Sequence, residues 1–191
     1  FPRDKESLDQ FFRMMTPNIG NIDEATIVGA MSAVFDKTGE GILFTHSAGG
    51  APGWKTAIKN ARVKAIVAIE PGGFCFLEDE TPKDNRGGAG ILLDDFMKLT
   101  KIPIIIYYGD YIPDKEAAAF SQNFWRSVLA TARQWAAAVN ARGGDVTIVH
   151  LPEIGIKGNT HFIMSDLNNQ EIAAHLSTWL SEKGLDKKVQ Q

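Results

Sequence analysis

Two short stretches constrain this chain more than any others. Val63-Lys64-Ala65-Ile66-Val67-Ala68-Ile69 and Pro103-Ile104-Ile105-Ile106-Tyr107-Tyr108 are apolar at nearly every position. A strand with one wet face alternates apolar and polar residues, and these do not. Each reads as a strand buried on both faces, the pattern of a parallel sheet covered by helices on either side. Ile42 to Phe44 and Val146 to Leu151 read as further strands of the same kind. Helical patterns lie between and around them: Ile22 to Lys37, Trp54 to Ala61, Ile91 to Lys98, Ala117 to Arg142 and Asn168 to Lys183. Near the start, Leu8, Phe11, Phe12 and Met15 recur at helical spacing until Pro17 and Gly20 stop them. Strand and helix in alternation predict an α/β fold, a three-layer, mostly parallel sheet with helices on both faces. A chain of 191 residues is long enough for a single domain with a sizeable core.

In such sheets, functional side chains gather where strands end. The first strand runs into Thr45-His46-Ser47-Ala48-Gly49-Gly50. A strand, a sharp turn with a serine at its tip and then a helix make the layout of a nucleophile elbow. The turn strains the serine backbone and needs small flanking residues. Ala48, Gly49 and Gly50 meet that need, although Thr45 stands where the usual pattern has its first glycine. The second strand ends at Glu70-Pro71-Gly72, with Pro71 keeping Glu70 out of helical backbone. The third ends at Gly109-Asp110, and His161 follows the last. A serine hydroxyl, an imidazole and a carboxylate on successive strand ends are the parts of a nucleophile-base-acid relay.

Thr45-His46-Ser47-Ala48-Gly49-Gly50, Ile69-Glu70-Pro71-Gly72, Tyr108-Gly109-Asp110 and Gly158-Asn159-Thr160-His161 together resemble the C-terminal part of an α/β-hydrolase. Within that superfamily the chain is most similar to bacterial serine esterases. Those take the triad acid from the strand after the nucleophile strand, as a Glu in an Ile-Glu-Pro-Gly string. The resemblance covers roughly residues 22–184 and keeps the superfamily's order of Ser, acid, His. It implies an ester hydrolase working through an acyl-enzyme. Ser47 would be the nucleophile, His161 the base and Glu70 the acid, with Asp110 as alternative acid or support. The amide of Ala48 would be one oxyanion donor. Trp54, Phe74, Phe76 and Tyr111 lie near these strand ends and are expected as walls of an apolar pocket. Residues 74–101 are expected to form a lid or pocket-loop region, and residues 184–191 a polar tail.

An intact α/β-hydrolase has further strands before the elbow, and this chain has no room for them. The expectation is therefore a second chain that supplies the N-terminal half of the fold. The chain begins at Phe1, which suggests processing and leaves secretion or a periplasmic location in view. The rival reading is a catalytically silent α/β-hydrolase-like subunit acting in binding or assembly. A net charge of -3 gives no reason to expect nucleic acid as partner. No apolar run has the length of a membrane span. Four scattered histidines and one cysteine give no metal-ligand spacing. No nucleotide or flavin fingerprint appears, so no cofactor is expected. The remaining histidines compete poorly as base. His46 adjoins the serine and should point away from it, His150 falls within a strand, and His175 falls within the last helix.

Overall fold

The computed structural model describes residues 2–16, 20, 23–82 and 90–187. Its centre is a parallel, 4-stranded sheet in the order β1-β2-β5-β6. The strands are β1 (Gly41–His46), β2 (Val63–Ile69), β5 (Pro103–Tyr108) and β6 (Asp145–His150). Between β2 and β5 lie two short strands, β3 (Phe76–Leu77) and β4 (Gly90–Ile91), which pair in parallel with each other. The helices are α1 (Lys5–Met14), α2 (Glu24–Thr38), α3 (Gly50–Lys59), α4 (Leu93–Leu99), α5 (Phe120–Asn140) and α6 (Asn169–Glu182).

The period-2 geometry of a strand sends alternate side chains to opposite faces, and both faces here are apolar. Ile66, Ala68, Ile104, Ile106 and Tyr108 pack on one side with Trp54 of α3, Phe96 of α4 and Val128, Leu129, Trp135 and Val139 of α5. Ala65, Val67, Ile105, Tyr107 and Val149 pack on the other with Ile172 and Trp179 of α6. The result is three layers, as the uninterrupted apolar runs require. The second face is covered less completely. A hollow of about 420 Å³ opens there, lined by Phe44, Val67, Ile69, Tyr107, Ile163 and Leu176 among others.

Helix starts follow local chemistry. Asp4 accepts a hydrogen bond from the Ser7 amide and caps α1. Asp23 accepts from Ala25 and caps α2. Helix α3 starts at Gly50, earlier than the expected Trp54, because Pro52 falls in the first turn, where a missing N–H leaves no bond unmade.

The expected lid region, residues 74–101, is mostly something else where it is described. Phe74, Cys75 and Phe76 are core, β3 and β4 pair beside them, and α4 buries Phe96 and Leu99. Residues 83–89 of that stretch lie outside the described residues, as do residues 188–191 of the expected tail. No helix among the described residues is long and apolar enough to cross a membrane.

Candidate active site

Strand β1 delivers Ser47 into a tight turn where its φ is 54°, in the left-handed region that side-chain-bearing residues rarely occupy. A residue held there costs roughly 1–3 kcal/mol, which the surrounding packing must offset. That packing is specific. A Cβ on Gly50 would lie 2.5 Å from the Pro71 Cβ, so the start of α3 can press on the end of β2 only with glycine at this position. The Ser47 carbonyl also accepts a hydrogen bond from the Gly72 amide at 3.3 Å. The serine turn and the Glu70-Pro71-Gly72 turn therefore brace each other. Glu70 is itself at a φ of 44°. It is out of right-handed helical backbone, as Pro71 demands, and in a positive-φ conformation.

The side chains from these ends converge. His161 Nε2 lies 2.8 Å from Ser47 Oγ. His161 Nδ1 lies 2.5 Å from Glu70 Oε2. A carboxylate only accepts, so Nδ1 carries the ring proton and Nε2 presents its lone pair to the serine hydroxyl. Glu70 is buried, and its other oxygen accepts from the Gly109 amide at 2.6 Å. Gly109 is required by this closeness: a Cβ there would meet Glu70 Oε1 at 2.8 Å and the carbonyls of Asn159 and Thr160 at 2.9 Å.

Asp110 stands one residue on but faces elsewhere. Its Oδ2 accepts from the Gly158 amide at 2.9 Å and its Oδ1 from the Tyr111 amide at 2.8 Å. The Gly158 bond, then the Tyr111 bond, hold its carboxyl below the ordinary carboxylate range. Asp110 thus secures the loop that carries His161 and makes no contact with the imidazole. The same loop is held from below. Buried Asn159 donates to Asn168 at 2.7 Å, and Asp166, also buried, accepts from the Thr160 amide at 2.7 Å. This network explains the Gly158-Asn159-Thr160 string. Asp166 and Asn168 carried no sequence signal of their own, because short polar residues before a helix are common.

His46 does not point idly away. Its Nε2 donates to the His161 carbonyl at 2.8 Å, and the two rings lie 4.7 Å apart between centroids. Burial, the largest cause, holds its pKa below the ordinary histidine value. It competes for no serine proton, so its exclusion as base stands for a different reason than the one expected. His150 pairs with Glu153 at 3.3 Å and His175 with the Tyr107 hydroxyl at 2.8 Å.

The expected pocket aromatics part company. Trp54, Phe74 and Phe76 are 0%, 1% and 3% exposed, so they present no wall to a ligand. Trp54 and Phe74 stack on each other and pack at a tilt against Trp135 in the core, and Trp54 Nε1 donates to the Gly73 carbonyl. The expectation for these three is corrected: large rings next to a buried sheet are stabilised most by complete burial. Tyr111 is 64% exposed at the rim. Besides His46, the rings that border the imidazole among the described residues are Trp125 at 4.6 Å and Phe162 at 5.5 Å between centroids. Trp125 was legible only as one more apolar residue of the α5 pattern.

Ala48 directly follows Ser47 in a short 3-10 turn that leads into α3. Cys75 is buried, and burial pushes its thiol up to about 11, which removes it as a competing nucleophile. Among the described residues no group of three or more His, Cys, Asp or Glu is placed to hold a metal ion.

Comparison with known proteins bears on the fold. A solved bacterial esterase superimposes with a TM-score of 0.72 and 26% identity, over 93% of this chain and 49% of that one. The fold is that of the α/β-hydrolases. A putative dienelactone hydrolase from Klebsiella pneumoniae subsp. pneumoniae MGH 78578 shares it with a TM-score of 0.50 and 16% identity, over 90% of this chain and 70% of that one. In sequence, this chain is 28% identical over 85% of its length to a probable secreted lipase of Fungal sp. (strain ATCC 74256). It spans about half, 51%, of that curated relative. No model of a protein family matches the chain.

Proposed function

We propose that this chain carries the nucleophile, base and acid of a serine hydrolase that cleaves carboxylic esters through an acyl-enzyme. The observation that carries the reading is the unbroken run of contacts from Glu70 Oε2 through both nitrogens of His161 to Ser47 Oγ, at 2.5 and 2.8 Å. The names of the esterase and lipase relatives support the reaction class.

In the proposed reaction, Ser47 Oγ attacks the ester carbonyl as His161 Nε2 takes its proton. The imidazolium forms against the Glu70 carboxylate, which is held in place by Gly109 and, being buried, is little screened by water. The carbonyl oxygen becomes an oxyanion, and the Ala48 amide is the donor this chain offers it. Collapse of the intermediate breaks the bond to the alkoxy group. His161 returns its proton to that group, and the acyl chain stays on Ser47. Water then repeats the sequence and frees the acid.

The experiment is labelling of the native protein with a fluorophosphonate, followed by peptide mapping. Modification of Ser47, abolished by Ser47→Ala and by His161→Gln, is the expected result. An unlabelled Ser47 in a sample that is folded would instead favour a silent subunit using this surface for binding or assembly.

A further inference from the structure

We infer that Trp125 is a positioning residue for the base: its indole face fixes the plane of the His161 ring and stabilises the imidazolium formed during attack. The inference rests on the triad reading above. Glu70 at Nδ1 and Ser47 at Nε2 hold the imidazole only along the line between its nitrogens. Two bonds on one line leave the ring free to rock about that line. Contacts on the ring's faces and edges remove this freedom. Trp125 lies 4.6 Å away between centroids at an interplanar angle of 42°, Phe162 lies edge-on at 5.5 Å and 82°, and His46 lies at 4.7 Å and 43°.

Trp125 is itself held. Phe124 packs edge-on against it at 5.3 Å and 84°. Trp125 is partly buried and packs against the edge of the core, whereas Val128, Leu129, Ala132 and Trp135 further along α5 are buried within it. A cation within about 6 Å of an indole centroid is attracted by the negative face of the ring. His161 is uncharged before attack and charged in the transition state, so the attraction appears where it lowers the barrier. Among the described residues, the titratable groups that touch the imidazole are Glu70 at Nδ1 and His46, which burial keeps toward its neutral form. Trp125 therefore adds to Glu70, with no cation among the described residues shown opposing it.

The test uses the full-length protein with Trp125→Phe and Trp125→Leu, p-nitrophenyl acetate as substrate and the fluorophosphonate as probe. Leu keeps an apolar side chain and removes the π face, while Phe keeps a face. The Leu variant is expected to lose about three- to tenfold in kcat and in labelling rate, with KM little changed, and Phe to recover most of the loss. Equal rates for the Leu and Phe variants, or a loss confined to KM, overturn the inference. A second measurement guards against misfolding of the Leu variant. Its urea midpoint is determined beside the kinetics. A loss in kcat at a wild-type midpoint supports the inference, and a loss that only tracks a lowered midpoint overturns it. Failure of wild-type Ser47 to label at all marks failure of the triad reading instead.

Discussion

Glu70 and Asp110 end neighbouring parallel strands, yet their oxygens have different partners. One oxygen of Glu70 faces the imidazole, whereas both oxygens of Asp110 hold backbone amides. Glu70→Gln should therefore cost roughly four orders of magnitude in kcat, by analogy with removal of the acid's charge in other triads. Asp110→Asn should cost about tenfold, the worth of one weakened charged hydrogen bond in the loop. Steady-state kinetics on the two variants separates them, and a Glu70→Gln variant within tenfold of wild type would contradict the role proposed for Glu70. His46 makes a prediction about pH. Its folded pKa is depressed below the ordinary value of 6.5, so the unfolded chain binds that proton first as pH falls. The stability owed to neutral His46 is complete above 6.5 and is lost as pH drops from there through the folded value. His46→Gln keeps a donor for the His161 carbonyl and cannot titrate. Its urea midpoint should fall less steeply than that of wild type as pH is lowered from 6.5, and parallel slopes would contradict the account.

At the scale of elements, the strands were legible because burial on both faces left their sequences without alternation. Both Val63–Ile69 and Pro103–Tyr108 are strands over the expected residues. The tight turns at Ser47 and Glu70 were legible from their strings, since each encodes a backbone need: small residues beside the serine, a proline after the glutamate. The role of Thr45 was not. It departs from the usual glycine, and the compensation lies eight positions on. A Cβ on Gly53 would sit 2.6 Å from the Thr45 Cγ2 methyl, so the threonine fits under α3 because Gly53 makes room. Read along the sequence, Gly53 looks like a flaw in a helix, because nothing local ties it to Thr45. The pairing predicts a coupled mutant cycle. Gly53→Ala should destabilise by about 1–3 kcal/mol through overpacking, despite alanine's better helix propensity. Thr45→Ser deletes the offending methyl, and the double variant should recover most of the loss in thermal or urea unfolding. Additive effects would mean that the strand and helix move apart rather than clash.

For the whole molecule, the missing cover matters more than any single contact. Strand β1 lies at one end of the sheet order and pairs with β2 alone among the described strands. Its Phe44 is 54% exposed and borders the hollow of about 420 Å³ on the α6 face. An apolar strand edge beside an apolar hollow is a template for association, which stable proteins cover. The sequence suggested that a second chain does so. The relatives give that idea no support, since their additional length lies within one chain, of which this one aligns with 51% and 49%. Hydrogen exchange tests whether the edge needs cover. In residues 1–191, alternate β1 amides, those facing away from β2, should exchange far faster than the amides of β2. The chain should also bind a hydrophobic dye and self-associate, and Phe44→Lys should reduce both. Equal protection of β1 and β2 in a monomeric sample would mean that the edge needs no cover. The fluorophosphonate reaction on that monomer would then show how much of the oxyanion site this chain builds by itself.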